Sequence, residues 1–306
     1  MRLVLVGAVE GSAVALQSLA ACGRPPVSVV TLPTALAHRH SDFVDLAPMA
    51  TQCGSNVIHA TSINSPLTIG QIRDSRPDLC LVIGWSQVCR DEFLSSARIG
   101  CIGFHPSPLP RLRGRAVIPW TILLGETESA STLFWLDSGL DSGPILMQRH
   151  FAVSDAETAR TLYDKHVANI SSMLPEAMAL VESGSPPRRV QNSDQASYCA
   201  KRTADDGIID WRQDAARILR LIRAVGDPYP GAFTTLEDEK LVVNGARVYE
   251  EGHRFVGMAG QVVHLTTSGF VVSCGDRECI EVTSWLPGRT PKLHAKLGGS
   301  IGARFG

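Results

Sequence analysis

The chain has 306 residues, of which 44% are hydrophobic and 19% charged, and its formal net charge is −1. This length suits one large domain or two modest ones, and the charge excludes a global field that would attract nucleic acid or an anionic membrane. No uninterrupted run of about 18 apolar residues is present, so no transmembrane helix is expected. The apolar run at 3–6 stops at Gly7, too short for a signal peptide, and predicts a buried first strand in a cytoplasmic protein.

The eight cysteines include no CxxC pair, and several lie inside apolar runs such as Asp78–Ile83. Reduced, mostly buried thiols are therefore expected, and no metal site. His38 and His40 have no further ligands at a suitable spacing, so they are expected in an exposed loop.

Up to about residue 190, apolar segments alternate with helical patterns. Strands are predicted at 2–7, 27–31, 79–83, 101–104, 131–136 and 145–151, and helices at about 11–22, 44–53, 67–75, 91–96, 116–124 and 156–181. Pro175 is expected to kink or end the last helix. This alternation predicts an α/β fold, a Rossmann-like doubly wound parallel sheet covered by helices on both faces.

The pattern changes at 183–207, a polar stretch with glycine and proline that indicates a linker or strap. One helix at about 213–225 follows, and then short alternating runs at 241–249, 260–266, 269–274 and 278–283. That spacing predicts a small antiparallel, OB-like β-barrel. The expected division is a catalytic domain at 1–190, a strap at 191–206 and a β-rich domain at 207–306.

Two loops of the first domain carry residues suited to proton transfer. His105 lies in the proline-rich segment Gly103–Pro110, and Asp141 lies in the glycine-bounded turn Gly139–Ile145. Imidazole titrates near neutrality, and a neighbouring carboxylate can orient the ring and stabilise its cation. The two form a proton-transfer pair if their loops meet at the carboxyl edge of the sheet, where doubly wound folds bind ligands. Taken alone, a histidine with backbone partners and a turn-forming aspartate remain the alternatives.

Both segments resemble the signature of formyltransferases that use 10-formyltetrahydrofolate, namely His-Pro-Ser-x-Leu-Pro, then Arg-Gly, then Gly-x-Asp-x-Gly-x-Ile. The carboxy-terminal part resembles the same family at Asp210-Trp211, Leu221–Ala224 and Asp227–Phe233. The last of these is closer to amino-sugar N-formyltransferases, such as the 4-amino-4-deoxy-arabinose enzyme, than to methionyl-tRNA formyltransferases. The resemblance implies formyl transfer to a primary amine without a metal, with His105 as general acid and base and Asp141 as its partner.

One catalytic position departs from the family, because Gly103 stands where relatives have an asparagine that polarises the formyl oxygen. Loss of one such donor typically costs about 10²–10³ in rate. Three alternatives follow. The amide is replaced by Gln87, a water or the Gly103 N–H; the site is adapted to another one-carbon unit or acceptor; or the protein is a weak or non-catalytic relative.

The resemblance also implies binding residues. The pterin ring of the folate would lie on Gly84, Trp85, Ser86, Gln87 and Val88, with Asp137 and Gly139 as further cofactor-binding residues. The acceptor or its phosphates would be bound by Ser107, Arg113, Gly114 and Arg115. The alternatives are a Trp85 that only fills the core and arginines in a solvated loop.

The acceptor is expected to be a small molecule. Methionyl-tRNA formyltransferases carry a basic insertion after the second strand, whereas the corresponding segment 34–45 here has two acids, one arginine and no lysine. A protein that grips tRNA phosphates should show a basic stripe. An amino sugar, free or nucleotide-linked, is therefore favoured. Methionyl-tRNA is the alternative acceptor, no membrane partner is expected, and a homodimer is left open.

Overall fold

The computed structural model describes residues 1–298, and the first two-thirds of the chain forms a seven-stranded sheet with helices. The strands are β1 (Leu3–Val6), β2 (Ser28–Thr31), β3 (Asn56–His59), β4 (Leu79–Val82), β5 (Gly100–His105), β6 (Arg113–Gly114), β7 (Glu128–Trp135), β8 (Ile145–Ala152) and β9 (Tyr198–Cys199). The helices are α1 (Glu10–Ala21), α2 (Ala47–Gln52), α3 (Pro66–Asp74), α4 (Asp91–Leu94), α5 (Val117–Leu123) and α6 (Ala159–Glu182). The sheet order is β3-β2-β1-β4-β5-β7-β8, while β6 and β9 pair separately.

The Rossmann-like α/β fold is confirmed, with one difference in strand direction. Strands β1 to β5 pair in parallel, but β7 is antiparallel to both β5 and β8. Only residues 136–144 separate β7 from β8. A parallel crossover needs about a dozen residues or more, so this connection can join only antiparallel neighbours.

The continuous apolar runs of the parallel strands are explained by burial on both faces. In β1, Leu3 and Leu5 belong to one core cluster, together with residues of α1 and α6. Val4 and Val6 belong to a second cluster, together with residues of α3 and α4. Because side chains of a strand alternate between faces, one short apolar strand contributes to both cores.

Three strands of this region were not predicted. The short strands β6 and β9 have two residues each, and β3 is a four-residue strand at the sheet edge with two exposed residues and no continuous apolar run. Pro175 lies inside α6, which continues to Glu182, so of the two alternatives for this proline the end of the helix is excluded and the kink stays a prediction.

The β-rich second part is also confirmed. It contains α7 (Ala215–Val225), β10 (Ala232–Leu236), β11 (Glu239–Val248), β12 (Val262–Leu265), β13 (Phe270–Ser273) and β14 (Cys279–Leu286). All pairs in the order β10-β11-β14-β13-β12 are antiparallel. Bridges from Gly298 to Thr235 of β10 and from Lys296 to Gln261 beside β12 reach both edges of this sheet.

The chain divides into two compact units by a pattern more complex than a single boundary. The first contains Met1–Val117, Thr127–Val153 and Leu162–Lys201; the second contains Ile118–Glu126, Ser154–Thr161 and the chain from Arg202 onward. The change at 201/202 falls inside the segment predicted as a strap. No periodicity in the sequence indicated that the two short internal segments would group with the second unit.

All eight cysteines are free thiols. Across the described part of the chain, no helix is both long enough and apolar enough to cross a membrane. Residues 1–298 also contain no group of three or more His, Cys, Asp or Glu side chains arranged to hold a metal ion.

Candidate active site

His105 is the last residue of β5, and its side chain is almost completely buried. Its Nε2 lies 2.8 Å from the carbonyl oxygen of Leu112. A carbonyl oxygen only accepts, so Nε2 must carry the hydrogen and donate it. Leu112 has a left-handed backbone, with φ of 57°, in the turn that presents this carbonyl. In the neutral ring, Nδ1 is therefore the nitrogen with a free lone pair.

Asp141 faces this free nitrogen. Its Oδ2 lies 3.6 Å from His105 Nδ1, beyond ordinary hydrogen-bond distance but close enough for strong attraction to a cationic ring. The same oxygen accepts a 2.8 Å hydrogen bond from the Gly114 N–H. The Gln191 side-chain amide donates to the carbonyl oxygens of Asp141 and Gly143, at 2.9 and 2.7 Å, and so fixes the turn around the carboxylate.

The two residues meet although β7, from which the Asp141 loop departs, is antiparallel to β5. Trp135, at the end of β7, pairs with Ile102, three residues before His105. The loop after β7 must therefore run back along β5 to bring Asp141 to His105. Asp137 stabilises this loop, because its carboxylate accepts hydrogen bonds from the Gly139 N–H and the Ser142 hydroxyl.

This geometry assigns the two groups different tasks. The Leu112 carbonyl, rather than Asp141, orients the ring, which differs from the expectation that the carboxylate would do so. Asp141 lies where its carboxylate would stabilise a positive charge on the ring if His105 Nδ1 took up a proton. A role of the pair in proton transfer remains a prediction.

The space beside Gly103 is filled by hydrocarbon. A Cβ at Gly103 would lie 2.6 Å from Leu136 Cδ2 and 3.1 Å from Phe134 Cε1, distances that a side chain could adopt only if Leu136 moved. Gly103 also lies inside β5, paired with β4 on one side and β7 on the other. Leu136 and Phe134 thus form an apolar wall against Gly103, which precedes His105 by two residues in β5.

The Gln87 side chain is held by hydrogen bonds within its own loop region, so it is not free to replace the carboxamide that is missing at Gly103. Its Oε1 accepts hydrogen bonds from the Ile63 N–H at 2.9 Å and from Trp85 Nε1 at 3.3 Å. Its Nε2 donates to the Thr61 carbonyl at 3.0 Å. Gln87 therefore anchors the loop that follows β4.

A pocket of about 160 Å³ opens beside this loop. It is lined by Leu32, Arg39, His40, Trp85, Ser86, Gln87 and Arg115. The structure thus brings three residues of the predicted pterin loop together with Arg115, which was predicted to bind the acceptor. His40 had been expected in an exposed loop, and it is half-buried.

Of the other predicted acceptor-binding residues, Ser107 and Arg113 are buried and Gly114 is half-buried. The Ser107 hydroxyl is buried and donates to the Arg111 carbonyl at 2.8 Å. Arg113 is only 2% exposed, and its guanidinium donates to Gln191 Oε1 at 2.8 Å and to the Tyr198 hydroxyl at 3.2 Å. Gly114 has φ of 104°, and a Cβ there would lie 2.5 Å from the Cys199 carbonyl oxygen. Gly114 holds the Asp141 carboxylate through its N–H, and Arg113 contacts Gln191, which fixes the Asp141 turn. Contact of Ser107, Arg113 and Gly114 with an acceptor remains a prediction.

The comparison with known families is decisive. A family model described as "Formyl transferase" matches residues 10–178, and one described as "Formyl transferase, C-terminal domain" matches residues 201–296. This chain belongs to the formyl transferase family. It is a formyl-transferring enzyme.

Individual relatives agree with this family. The methionyl-tRNA formyltransferase of Geobacter metallireducens is 30% identical over 277 residues, which cover 90% of this formyltransferase and 88% of that protein. Among solved structures, the sugar 3N-formyl transferase WlaRD, with dTDP and 5-N-formyl-THF, has a TM-score of 0.67 at 17% identity, covering 94% of this chain and 99% of its own. HypX from Aquifex aeolicus, in complex with tetrahydrofolic acid, has a TM-score of 0.66 at 17% identity, covering 98% of this chain and 46% of its own. The two structures share the fold of this formyltransferase.

A second histidine, His166 on α6, lies buried near His105 in the formyltransferase. Its Nδ1 is 2.9 Å from the Ser131 hydroxyl, which also accepts a 3.1 Å hydrogen bond from the Asn169 amide. Burial lowers the pKa of His166 to about 3, with smaller contributions from His105 and Lys165. His166 is therefore neutral near pH 7.

Acid is expected to destabilise the formyltransferase through His166. The pKa of His166 is lowered in the folded state, whereas a histidine of the unfolded chain has a pKa near 6.5. Between these two values the unfolded chain binds a proton at His166 that the folded chain does not bind, and this favours unfolding. The stabilisation is fully present above about pH 6.5 and is lost as the pH falls towards about 3, by up to about 1.4 kcal/mol per pH unit. Urea unfolding should show about 2 kcal/mol of this loss between about pH 6.5 and pH 5. His166→Gln should remove that part of the pH dependence, and an unchanged dependence in this variant would contradict the assignment.

Proposed function

We propose that this formyltransferase transfers the formyl group of 10-formyltetrahydrofolate to a primary amine of a small molecule, with an amino sugar as the favoured acceptor. The observation that carries the proposal is the arrangement of His105, whose Nε2 is held by the Leu112 carbonyl while Nδ1 faces the Asp141 carboxylate. Formylation of an amine requires one group that accepts a proton and then returns it, and this pair provides it.

His105 Nδ1 would accept a proton from the amine nitrogen as that nitrogen attacks the formyl carbon. Asp141 would stabilise the resulting imidazolium across the 3.6 Å gap. His105 would then donate the same proton to the folate nitrogen as its bond to the formyl carbon breaks. The products are a formamide and tetrahydrofolate, and His105 returns to its neutral form.

The loop after β4 supports a folate co-substrate. Trp85 and Ser86 line the pocket, and the Trp85 ring is held by a hydrogen bond from its Nε1 to Gln87. A flat heterocycle with polar edges suits a rim made of an aromatic ring and backbone groups. WlaRD and HypX, which share this fold, were solved with 5-N-formyl-THF and tetrahydrofolic acid, respectively, which also favours a folate.

The proposal of an amino-sugar acceptor rests on the charge of the chain and on its structural similarity to a sugar formyltransferase. The segment between β2 and α2 contains only a short 3₁₀ turn, Thr34–Arg39, and segment 34–45 has no lysine. Together with a net charge of −1, this composition favours a small amine over the phosphate backbone of a tRNA. WlaRD, a sugar formyltransferase, covers almost the whole chain.

Methionyl-tRNA is the second candidate acceptor, and one specific observation favours it. The Geobacter metallireducens relative, at 30% identity over 90% of the chain, is a methionyl-tRNA formyltransferase. Phosphate contacts would distinguish this function, because binding through several arginines and lysines weakens steeply with salt.

The release of tetrahydrofolate by the purified enzyme tests both candidates. The enzyme would receive 10-formyltetrahydrofolate with free amino sugars, nucleotide-linked amino sugars or methionyl-tRNA, and His105→Ala would serve as the catalytic blank. We expect turnover with an amino sugar that changes little between about 50 and 200 mM salt. Turnover with tRNA alone, falling by several orders of magnitude over the same range, would replace the proposal by the second candidate. Absence of turnover with every acceptor would favour a changed or lost chemistry at Gly103.

A further inference from the structure

The pocket beside the loop after β4 has an unusual charge. Two arginines, Arg39 and Arg115, line it together with His40, and among the described residues no acidic side chain belongs to its lining. A concave site lined by cations attracts anions strongly, because its walls focus the electric field.

Both arginines retain donors for a ligand. Within residues 1–298, no hydrogen bond or ion pair of the Arg115 guanidinium is present, and only its backbone N–H is engaged, with the Cys199 carbonyl. Arg39 donates one hydrogen bond, from NH1 to the Thr61 carbonyl at 3.2 Å. Since guanidinium carries five N–H donors, each arginine can still form a two-pronged contact with a phosphate or carboxylate.

His40 lies near both arginines and carries no charge of its own near neutral pH. Burial lowers the pKa of His40, and the charges of Arg115 and Arg39 lower it further, whereas Asp42 raises it. Asp42 does not line the pocket and accepts a hydrogen bond from the Tyr163 hydroxyl at 2.5 Å. The pocket thus presents two cations and a neutral imidazole.

This positive pocket adjoins the reaction centre. Arg115 directly follows Gly114, whose N–H holds the Asp141 carboxylate at 2.8 Å. Trp85 and Gln87 follow β4, the direct neighbour of β5, which ends at His105. The pocket and the reaction centre thus share the chain segment Gly114–Arg115 and the carboxyl ends of two neighbouring strands.

We propose that Arg39 and Arg115 form an anion site that binds a phosphate or carboxylate group of a substrate of the reaction proposed above. The two sources of such a group are the diphosphate of a nucleotide-linked amino sugar and the glutamyl carboxylates of the folate. The pocket is small and has two arginines without lysines, which suits one or two anionic groups rather than a nucleic-acid backbone.

Direct binding tests the site without relying on turnover. Titration calorimetry would measure pyrophosphate, uridine diphosphate, and 5-formyltetrahydrofolate with one or three glutamates, against the wild type, Arg39→Gln and Arg115→Gln. We expect each substitution to weaken at least one anion series by about ten- to hundredfold, because a charge-assisted hydrogen bond is removed. Weaker diphosphate binding would identify the acceptor as the source of the anion, and weaker triglutamate binding would identify the folate.

Arg98→Gln is the matched control. This arginine precedes β5, at the end of the strand opposite His105, and its exposed side chain forms a 2.8 Å ion pair with Asp78. Arg98→Gln removes the same charge from the protein as Arg39→Gln or Arg115→Gln. The anion affinities of the Arg98→Gln variant should stay within about twofold of the wild type, since an exposed ion pair contributes little. Arg115→Lys, which keeps the charge but not the planar fork, should fall between wild type and Arg115→Gln.

Equal affinities in the wild type, Arg39→Gln and Arg115→Gln would overturn the anion site, as would an equal loss in Arg98→Gln. Because binding is measured directly, the anion site can be confirmed even if no tested acceptor is formylated. Conversely, formylation with unaltered anion binding in both variants would support the proposed function and reject this site.

Discussion

Replacing His105 with alanine is expected to lower kcat/KM for formyl transfer by about 10²–10⁴ while the protein stays folded. In the proposed reaction the imidazole takes the proton of the amine at Nδ1, because Nε2 is bound to the Leu112 carbonyl. Stopped assays of tetrahydrofolate release, with circular dichroism and thermal melting as folding controls, measure this directly. Near-wild-type turnover in His105→Ala would show that the proton leaves by another route.

Substitutions of Asp141 distinguish charge stabilisation of His105 from positioning of the loop. Asp141→Ala should lose most turnover because the imidazolium loses its counter-charge. Asp141→Asn should also lose most turnover, since its amide oxygen can still accept the hydrogen bond of the Gly114 N–H but carries no negative charge. If Asp141→Asn kept most of the activity, the carboxylate would be serving only to position the loop, as its bond to Gly114 also does.

The second large effect is expected at Gly103. Asparagine there would press against Leu136 and Phe134, and such overpacking typically costs about 1–3 kcal/mol of stability. Gly103→Asn alone should therefore lower both the melting temperature and the rate. Urea unfolding and kcat/KM, measured on the same preparations, give the two effects separately.

The double variant Gly103→Asn with Leu136→Ala is the informative control, because it opens space for the carboxamide. We expect the double variant to be more stable than additivity of the two single variants predicts. A rate above that of Leu136→Ala would show that a carboxamide can still serve this centre. A lower rate would show that the apolar wall is part of the chemistry. Full stability of Gly103→Asn alone would contradict the tight packing on Leu136.

The alternation of strands and helices was sufficient to predict the first domain because each parallel strand is buried on both faces. Strand β3 of this domain and strand β10 of the second part were not predicted, for physical reasons. The exposed edge strand β3 has no need of a continuous apolar run. Strand β10 begins directly after Gly231, and its residues Thr234 and Thr235 interrupt the apolar pattern.

The candidate site could be predicted in part. His105 and Asp141 were predicted from their residue types and flanking prolines or glycines together with the resemblance of both segments to the formyltransferase signature. The contacts that position them could not be predicted, since they involve residues without a local signal: the carbonyl of Leu112, the amide of Gln191 and the side chain of Leu136. A sequence also does not show whether an arginine faces solvent or is buried, and for this reason Arg113 and Arg115, two residues apart, were assigned the same role.

The contact between His105 and the carbonyl of Leu112 has a consequence for mutagenesis. Every amino acid carries a main-chain carbonyl, so alanine scanning would leave this acceptor in place and would report position 112 only as a buried packing residue. A substitution at position 112 can remove the hydrogen bond to His105 only by changing the path of the main chain. Proline is suited to this, because its ring fixes φ near −65° and cannot adopt the observed 57°. Random mutation would thus affect the orientation of His105 more easily through the shape of this turn than through any side chain in it.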